Sequence, residues 1–411
     1  MSVYNEYSKL KTVFLGKRFT EKIVRDQFKH AGNEEFIQAM IRLNSETNED
    51  LDAIEAYLTS IGVEVFRPNL DVYWELNYLN KEFCIFDPGS CRDWCFAYGD
   101  TIIIGQTSLS QRKHEYLFFE EALQILEKRG KTIVTYPVQP IPSQKVLDNQ
   151  FSNISFDDCV KIIKKFISDH SQSKNELLLD QSFLHKKLLE NNIDKNIYKS
   201  FYNYNYNNLI KNKILFHTAS YFKHDNIIYG TPQGTCLGIE YFKKHIEKIN
   251  PNVKFVYSLG ESGHIDGNRN ILDENLVVYS SYEEGDTYGY CQEFNLTGIK
   301  LYQGSGKGMS ITTFDYDDKF KPLEFYLNEQ FTSRLEGVFE YFRNLKGYDQ
   351  RVDFDLNGLT VAPKKMIGNF FDKEKIKFLE KFDVEVINLP MRHRWILDGG
   401  IHCYTSDIDR E

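Results

Sequence analysis

Cys403 lies in the stretch ILDGGIHCYTSDIDRE, with Gly399 and Gly400 just before it and His402 adjoining it. A thiolate is a strong nucleophile, but a cysteine becomes one only with a positive partner or a base close by. The two glycines clear side chains from the approach to this one. A buried structural thiol is the alternative, since free cysteine packs as a small hydrophobe. A second stretch, ESGHIDGNRN, sets His264 and Asp266 two residues apart. In extended chain such a pair points to one side, and it suits an acid/base and a substrate-holding carboxylate. An ordinary turn rich in Asp and Gly is the competing reading. A third stretch, GSCRDWCFAYGD, puts Asp93 at the start of a β-rich run. There a cap or a salt bridge is the commoner use of an aspartate.

Other apparent motifs fail on spacing. GSGKGMS at 304–310 has Leu301 where a phosphate-binding loop needs its first glycine and Gly308 where it needs Ser or Thr. Cys91 and Cys95 have no second pair to complete a zinc site. His114-Glu115 lacks a second histidine four residues on.

The elements that must position these residues repeat along the chain. DWCFAYGDTIIIG reads as a hairpin around Gly99-Asp100, RKHEYLFFEEALQILEKRG as an amphipathic helix ended by Gly130, and KTIVTYP as a strand. The order recurs in KILFHTASYFKHDNIIYG, CLGIEYFKKHIEKIN and VKFVYSL, and again in LNGLTVAP, FDKEKIKFLEKF and VEVINLP. Two weaker copies occupy 3–67, with a long insert before the helix NEDLDAIEAYLTSIG, and 269–302, with an ill-defined middle. About five strand–strand–helix–strand units result, each too small to bury its own apolar face, so they must pack on one another. Residues 138–212 break the rhythm and read as a helical and loop insertion within one domain that spans 1–411. YTSDIDRE is expected to form a strand beside YSKLKTVFLG.

Composition narrows the classes of partner. The 411 residues are 41% hydrophobic and 27% charged, which suits a folded globular chain. Net charge is −9 with no basic stripe, so neither nucleic acid nor an anionic membrane is expected as a partner. No signal peptide and no run of about 18 apolar residues stands out. Seven scattered cysteines point to free thiols in a reducing cytoplasm.

Together the motifs resemble the amidinotransferase branch of the pentein superfamily, which modifies guanidino groups. VYNEYSKLKTVFLG, IGVEVFRP, CRDWCFAYGDTIIIG and GTCLGIEYFKKHI are similar to its strand and helix signatures. SGHIDGNRN resembles its H-I-D loop, and GGIHCYTSDIDRE its G-G-F-H-C-W-T-x-D segment. The resemblance implies an α/β fold, a five-bladed α/β propeller. It implies that Cys403 attacks the guanidino carbon of arginine or a related donor to give an amidino-cysteine. His264 would be the general acid/base, and Asp93 and Asp266 would hold the guanidinium. A second amine would then accept the amidino group. The partners implied are small molecules, with no metal or cofactor, and a homodimer is an expectation of the family. Two departures matter. FHTAS at 216–220 puts His217 and Ser220 where the family has its F-D-A-A-D acids. Glu283 and Glu284 stand where a base usually clamps the donor's carboxylate, leaving Arg269 and Arg351 as candidates for that role. The same residues would serve a guanidine hydrolase of the deiminase or dihydrolase type. Loss of the acids leaves a non-catalytic binding or regulatory protein as a third reading.

Overall fold

The computed structural model describes residues 2–29, 34–79, 85–106, 112, 114–135, 213–231, 235–257, 265–267, 269–280, 290–301, 355–370, 372–394, 397 and 399–411. The insertion expected at 138–212 lies outside them. The described residues form an α/β fold of five three-stranded sheets.

The first sheet holds β1 (Leu10–Leu15) and β2 (Glu64–Phe66). The second holds β3 (Cys95–Tyr98), β4 (Thr101–Ile104) and β5 (Thr132–Val134). The third holds β6 (Tyr221–His224), β7 (Ile227–Gly230) and β8 (Lys254–Tyr257). The fourth holds β9 (Arg269–Asp273), β10 (Leu276–Ser280) and β11 (Thr297–Leu301), and the fifth holds β12 (Leu359–Ala362), β13 (Lys365–Gly368) and β14 (Glu385–Asn388). β15 (Thr405–Arg410) then returns to complete the first, pairing antiparallel with β1. In each sheet the middle strand pairs antiparallel with one neighbour and parallel with the other. A parallel pair needs a crossover. Helices provide it: α1 (Glu21–Gln27) and α2 (Glu34–Ser60) between β1 and β2, and α4 (Glu120–Lys128) before β5. α5 (Cys236–Ile249) precedes β8, and α6 (Lys373–Glu380) precedes β14. An additional helix, α3 (Val72–Leu79), follows β2.

Local chemistry accounts for these elements. α4 buries Ala122, Leu123 and Leu126 along one face, and Gly130 at φ +95° gives the left-handed turn that ends it. Thr235 caps α5 by accepting a bond from the Gly238 amide at 3.0 Å. α2 is longer than the sequence suggests. Polar NSETNED inside it interrupts the apolar spacing, yet Asn44, Thr47 and Asp50 are buried and the helix continues through them.

Five apolar clusters are each shared by two consecutive sheets. Phe14 of β1 packs with Ala97, Ile102 and Phe119. Phe96 and Ile103 pack with Tyr221, Ile228 and Phe242. Phe222 and Tyr229 meet Ile271 and Val277, and Leu272 and Val278 meet Met366 and Leu379. Leu359, Val361 and Ile367 meet Val13 and Leu15 of β1 and Leu51, Ile54 and Leu58 of α2. The packing order is therefore cyclic, with the fifth sheet against the first. Among the described residues, no helix is long and apolar enough to cross a membrane.

Candidate active site

A short turn precedes the first strand of each unit, and these turns hold the candidate residues. The 3-10 turn Cys91–Asp93 leads into β3, Thr218–Ser220 into β6 and Ile265–Gly267 into β9. Turns at 355–356 and 401–404 lead towards β12 and β15. The turn at Thr218–Ser220 packs against both Cys91–Asp93 and Ile265–Gly267, and β15 packs against Cys91–Asp93. Residues far apart in sequence thereby meet.

At the centre is Cys403, 5% exposed. Its Sγ lies 3.4 Å from Asp266 Oδ2, towards which the thiol donates. Asn357 Nδ2 donates to the same Sγ at 3.1 Å. The amide of Arg92 donates to the Cys403 carbonyl at 3.3 Å, which seats the Asp93 turn beside this cysteine. Burial pushes the Cys403 thiol well above its ordinary range, and the charges of Asp266 and Asp93 push it further, against the Asn357 hydrogen bond. Burial and the two carboxylates thus favour the neutral thiol over the thiolate.

Both aspartates are held from behind. His402 Nδ1 lies 2.8 Å from Asp266 Oδ2, and its ring sits on Phe222. Asp93 Oδ2 accepts from Arg112 Nη1. Arg112 is in turn gripped by Glu115, with Nε–Oε1 at 2.6 Å and Nη2–Oε2 at 2.8 Å. Burial pushes the Glu115 carboxyl up to about 7 in spite of Arg112.

Behind His402 is a buried ionic cluster. Glu6 lies 3.7 Å from His402 Nε2 and 3.5 Å from both Arg92 and Lys223. Asp407 accepts from Lys223 at 2.6 Å and Arg410 at 3.0 Å, and Arg92 Nη1 pairs with its other oxygen at 2.9 Å. Burial and Asp407 would raise the Glu6 carboxyl, but Lys223 and Arg92 hold it below its ordinary value.

The sequence-predicted residues divide as follows. Cys403, Asp93 and Asp266 are brought together. His217 is extended and leads into the turn Thr218–Ser220 that packs on the other two turns. Asp266 sits in a 3-10 turn and not in extended chain, so the two-residue alternation expected for His264 and Asp266 does not apply to it. Arg269 stacks its guanidinium 4.7 Å over the Tyr229 ring and donates to the Tyr229 hydroxyl, in the contact between β7 and β9. His264, Glu283 and Arg351 lie outside the described residues.

Asn357, Arg112 and Glu6 are contacts that sequence reasoning passed over. Asn357 had a signal: it stands two residues before β12, as Asp93 stands two before β3 and Cys403 two before β15. The glycines also have a different use from clearing a substrate's path. A Cβ on Gly400 would sit 2.8 Å from the Cβ, O and Oδ1 of Asn357, and one on Gly399 would sit 3.1 Å from Cys403 Cβ. Gly400→Ala is thus expected to displace Asn357 and to cost about 1–3 kcal/mol of stability, read as the shift in a urea unfolding midpoint. A midpoint equal to that of the unsubstituted protein would contradict the close packing.

No known family profile matches the sequence, and no curated protein matches it. Solved structures do resemble it. The inosamine-phosphate amidinotransferase StrB1 of Streptomyces griseus is 18% identical, over 100% of this chain and 96% of that one, with a TM-score of 0.58. SxtG, an amidinotransferase from Microseira wollei in the saxitoxin biosynthetic pathway, is 14% identical over 100% and 97%, also with a TM-score of 0.58. At these identities the likeness is one of fold. The chain has the α/β pentein fold, shared with these two amidinotransferases.

Proposed function

We propose that this protein is an amidinotransferase that moves the amidino group of arginine, or of a related guanidino donor, to an amine acceptor. The cyclic packing of five similar sheets supports describing its fold as a five-bladed propeller, with the turns at one end forming the site. The observation that carries the function is the Cys403 thiol held between the charges of Asp266 and Asp93.

A guanidinium is planar and permanently charged, and carboxylates bind it through paired N–H donors. Seated between the two aspartates, it would offset the charges that keep the thiol protonated. The donor thus promotes the thiolate that attacks it. Cys403 gives its proton to His264, the Sγ–C bond forms at the guanidino carbon, and a C–N bond breaks. The departing amine takes a proton from His264, which directly precedes the Ile265–Gly267 turn. An incoming amine loses a proton to His264 and expels the sulfur, so the kinetics are ping-pong.

The test is to incubate the protein with arginine labelled at the guanidino carbon and to weigh the Cys403 peptide. An amidino group in place of hydrogen adds about 42 Da, and Cys403→Ala should show none. Citrulline or ammonia release without an amine acceptor would favour hydrolysis. No adduct and no turnover with any guanidino donor would overturn guanidine chemistry altogether.

A further inference from the structure

We propose that Asn357 is a catalytic residue, the fixed N–H donor that stabilises the Cys403 sulfur as a thiolate. The inference rests on the thiol chemistry proposed above but assigns a role that none of the expected residues fills. Asn357 is 2% exposed, and its polar side-chain atoms have partners. Nδ2 donates to Cys403 Sγ at 3.1 Å and to the Asp266 carbonyl at 3.1 Å. Oδ1 accepts from the Cys403 amide at 3.1 Å. The backbone carbonyl accepts from the His402 amide at 3.1 Å.

These partners fix which way the carboxamide points. The Cys403 N–H needs an acceptor and the Asp266 carbonyl needs a donor, so a flipped amide would lose both. One N–H is thereby locked onto the sulfur, with no rotation left to remove it. Gly400 packs closely against the same residue. The surrounding charges favour the thiol, whereas this contact favours the anion. A hydrogen bond from a buried neutral donor is stronger to an anion than to its neutral acid. As the S–C bond forms and breaks, the same N–H accompanies the sulfur through each appearance of negative charge.

Aspartate is nearly the same shape as asparagine and makes a sharp comparison. At 357 it could still accept from the Cys403 amide. It would also face the Asp266 carbonyl and the sulfur with a charged oxygen in place of a donor.

The measurement is the pH profile of iodoacetamide alkylation at Cys403, followed by peptide mass in the full chain with no donor present. Asn357→Leu should move the profile up by about one unit and slow alkylation at neutral pH by about tenfold. Asn357→Asp should move it further in the same direction. Asn357→Ser, smaller and polar, carries the same test should the leucine variant fail to fold. The direction distinguishes this role from packing, because a loosened or unfolded site exposes the thiol and speeds alkylation. A profile that is unchanged or moves down in the folded variants overturns the proposal. A shifted profile with no adduct from any guanidino donor would keep Asn357 in its role and reject amidino transfer instead.

Discussion

Asp266→Asn is expected to lower turnover of a guanidino donor by about 100-fold while making Cys403 more reactive towards iodoacetamide at neutral pH. The two effects have one cause. The Asp266 carboxylate lies 3.4 Å from the sulfur and accepts a hydrogen bond from the thiol, and its charge is, after burial, the largest influence pushing the thiol up. Removing that charge lowers the energy of the thiolate relative to the thiol, so the alkylation profile moves down in pH. It also removes the proposed anchor for the donor cation, so the more reactive sulfur would have less substrate beside it. A melting temperature close to that of the unsubstituted protein separates this outcome from exposure by unfolding. If alkylation of folded Asp266→Asn is no faster, the charge of Asp266 is not what keeps the sulfur protonated.

The second large effect is on stability. Asp407→Asn keeps the shape but leaves Lys223 and Arg92 to share Glu6, and Arg410 with the Ser8 carbonyl. Asp407 and its three cations are nearly inaccessible to water. Breaking a buried ion pair by removing one charge costs about 3–5 kcal/mol, which would show as a lower urea midpoint at neutral pH. Burial alone would raise the Asp407 carboxyl, but Lys223, Arg92 and Arg410 together hold it well below its ordinary range. A depressed carboxylate contributes stability that is complete above the unfolded value, about 3.9. That contribution is lost as pH falls through the lower folded value. The gap between the two proteins should therefore be widest at neutral pH and narrow in acid. Equal midpoints at pH 7 would show that the three cations find sufficient partners without Asp407.

Much of the fold was legible because hairpin turns and helix ends are local signals. Gly99-Asp100 and Gly130 mark the second unit, and the Asp225-Asn226 turn marks the third. The spacing of Leu359 to Asn388 marks the fifth. α2 was only partly legible, because its buried polar residues answer to partners elsewhere. Asp50, for example, accepts from Arg392. Cys403 and both aspartates stood out by type and neighbourhood. Asn357 did not, because an asparagine before a strand is an ordinary turn residue until the sulfur it touches is known. That sulfur is 46 positions away in sequence. Arg112 was hidden for the same reason, as a cation on a polar stretch whose partner, Asp93, belongs to the preceding hairpin.

The pairing of β15 with β1 brings Leu15 opposite Thr405 and Leu10 opposite Arg410. Contacts this remote in sequence form slowly, because a long loop must close before any of them is made. Cys403 lies two residues before β15, so Asn357 and Asp266 can surround it only once that strand docks. Until then its thiol behaves as an ordinary cysteine with a pKa of about 8.5, open to oxidants and alkylating reagents. Docking buries it and raises its pKa, so ring closure also silences a reactive group. The reactivity of this one sulfur accordingly reports whether β15 is docked.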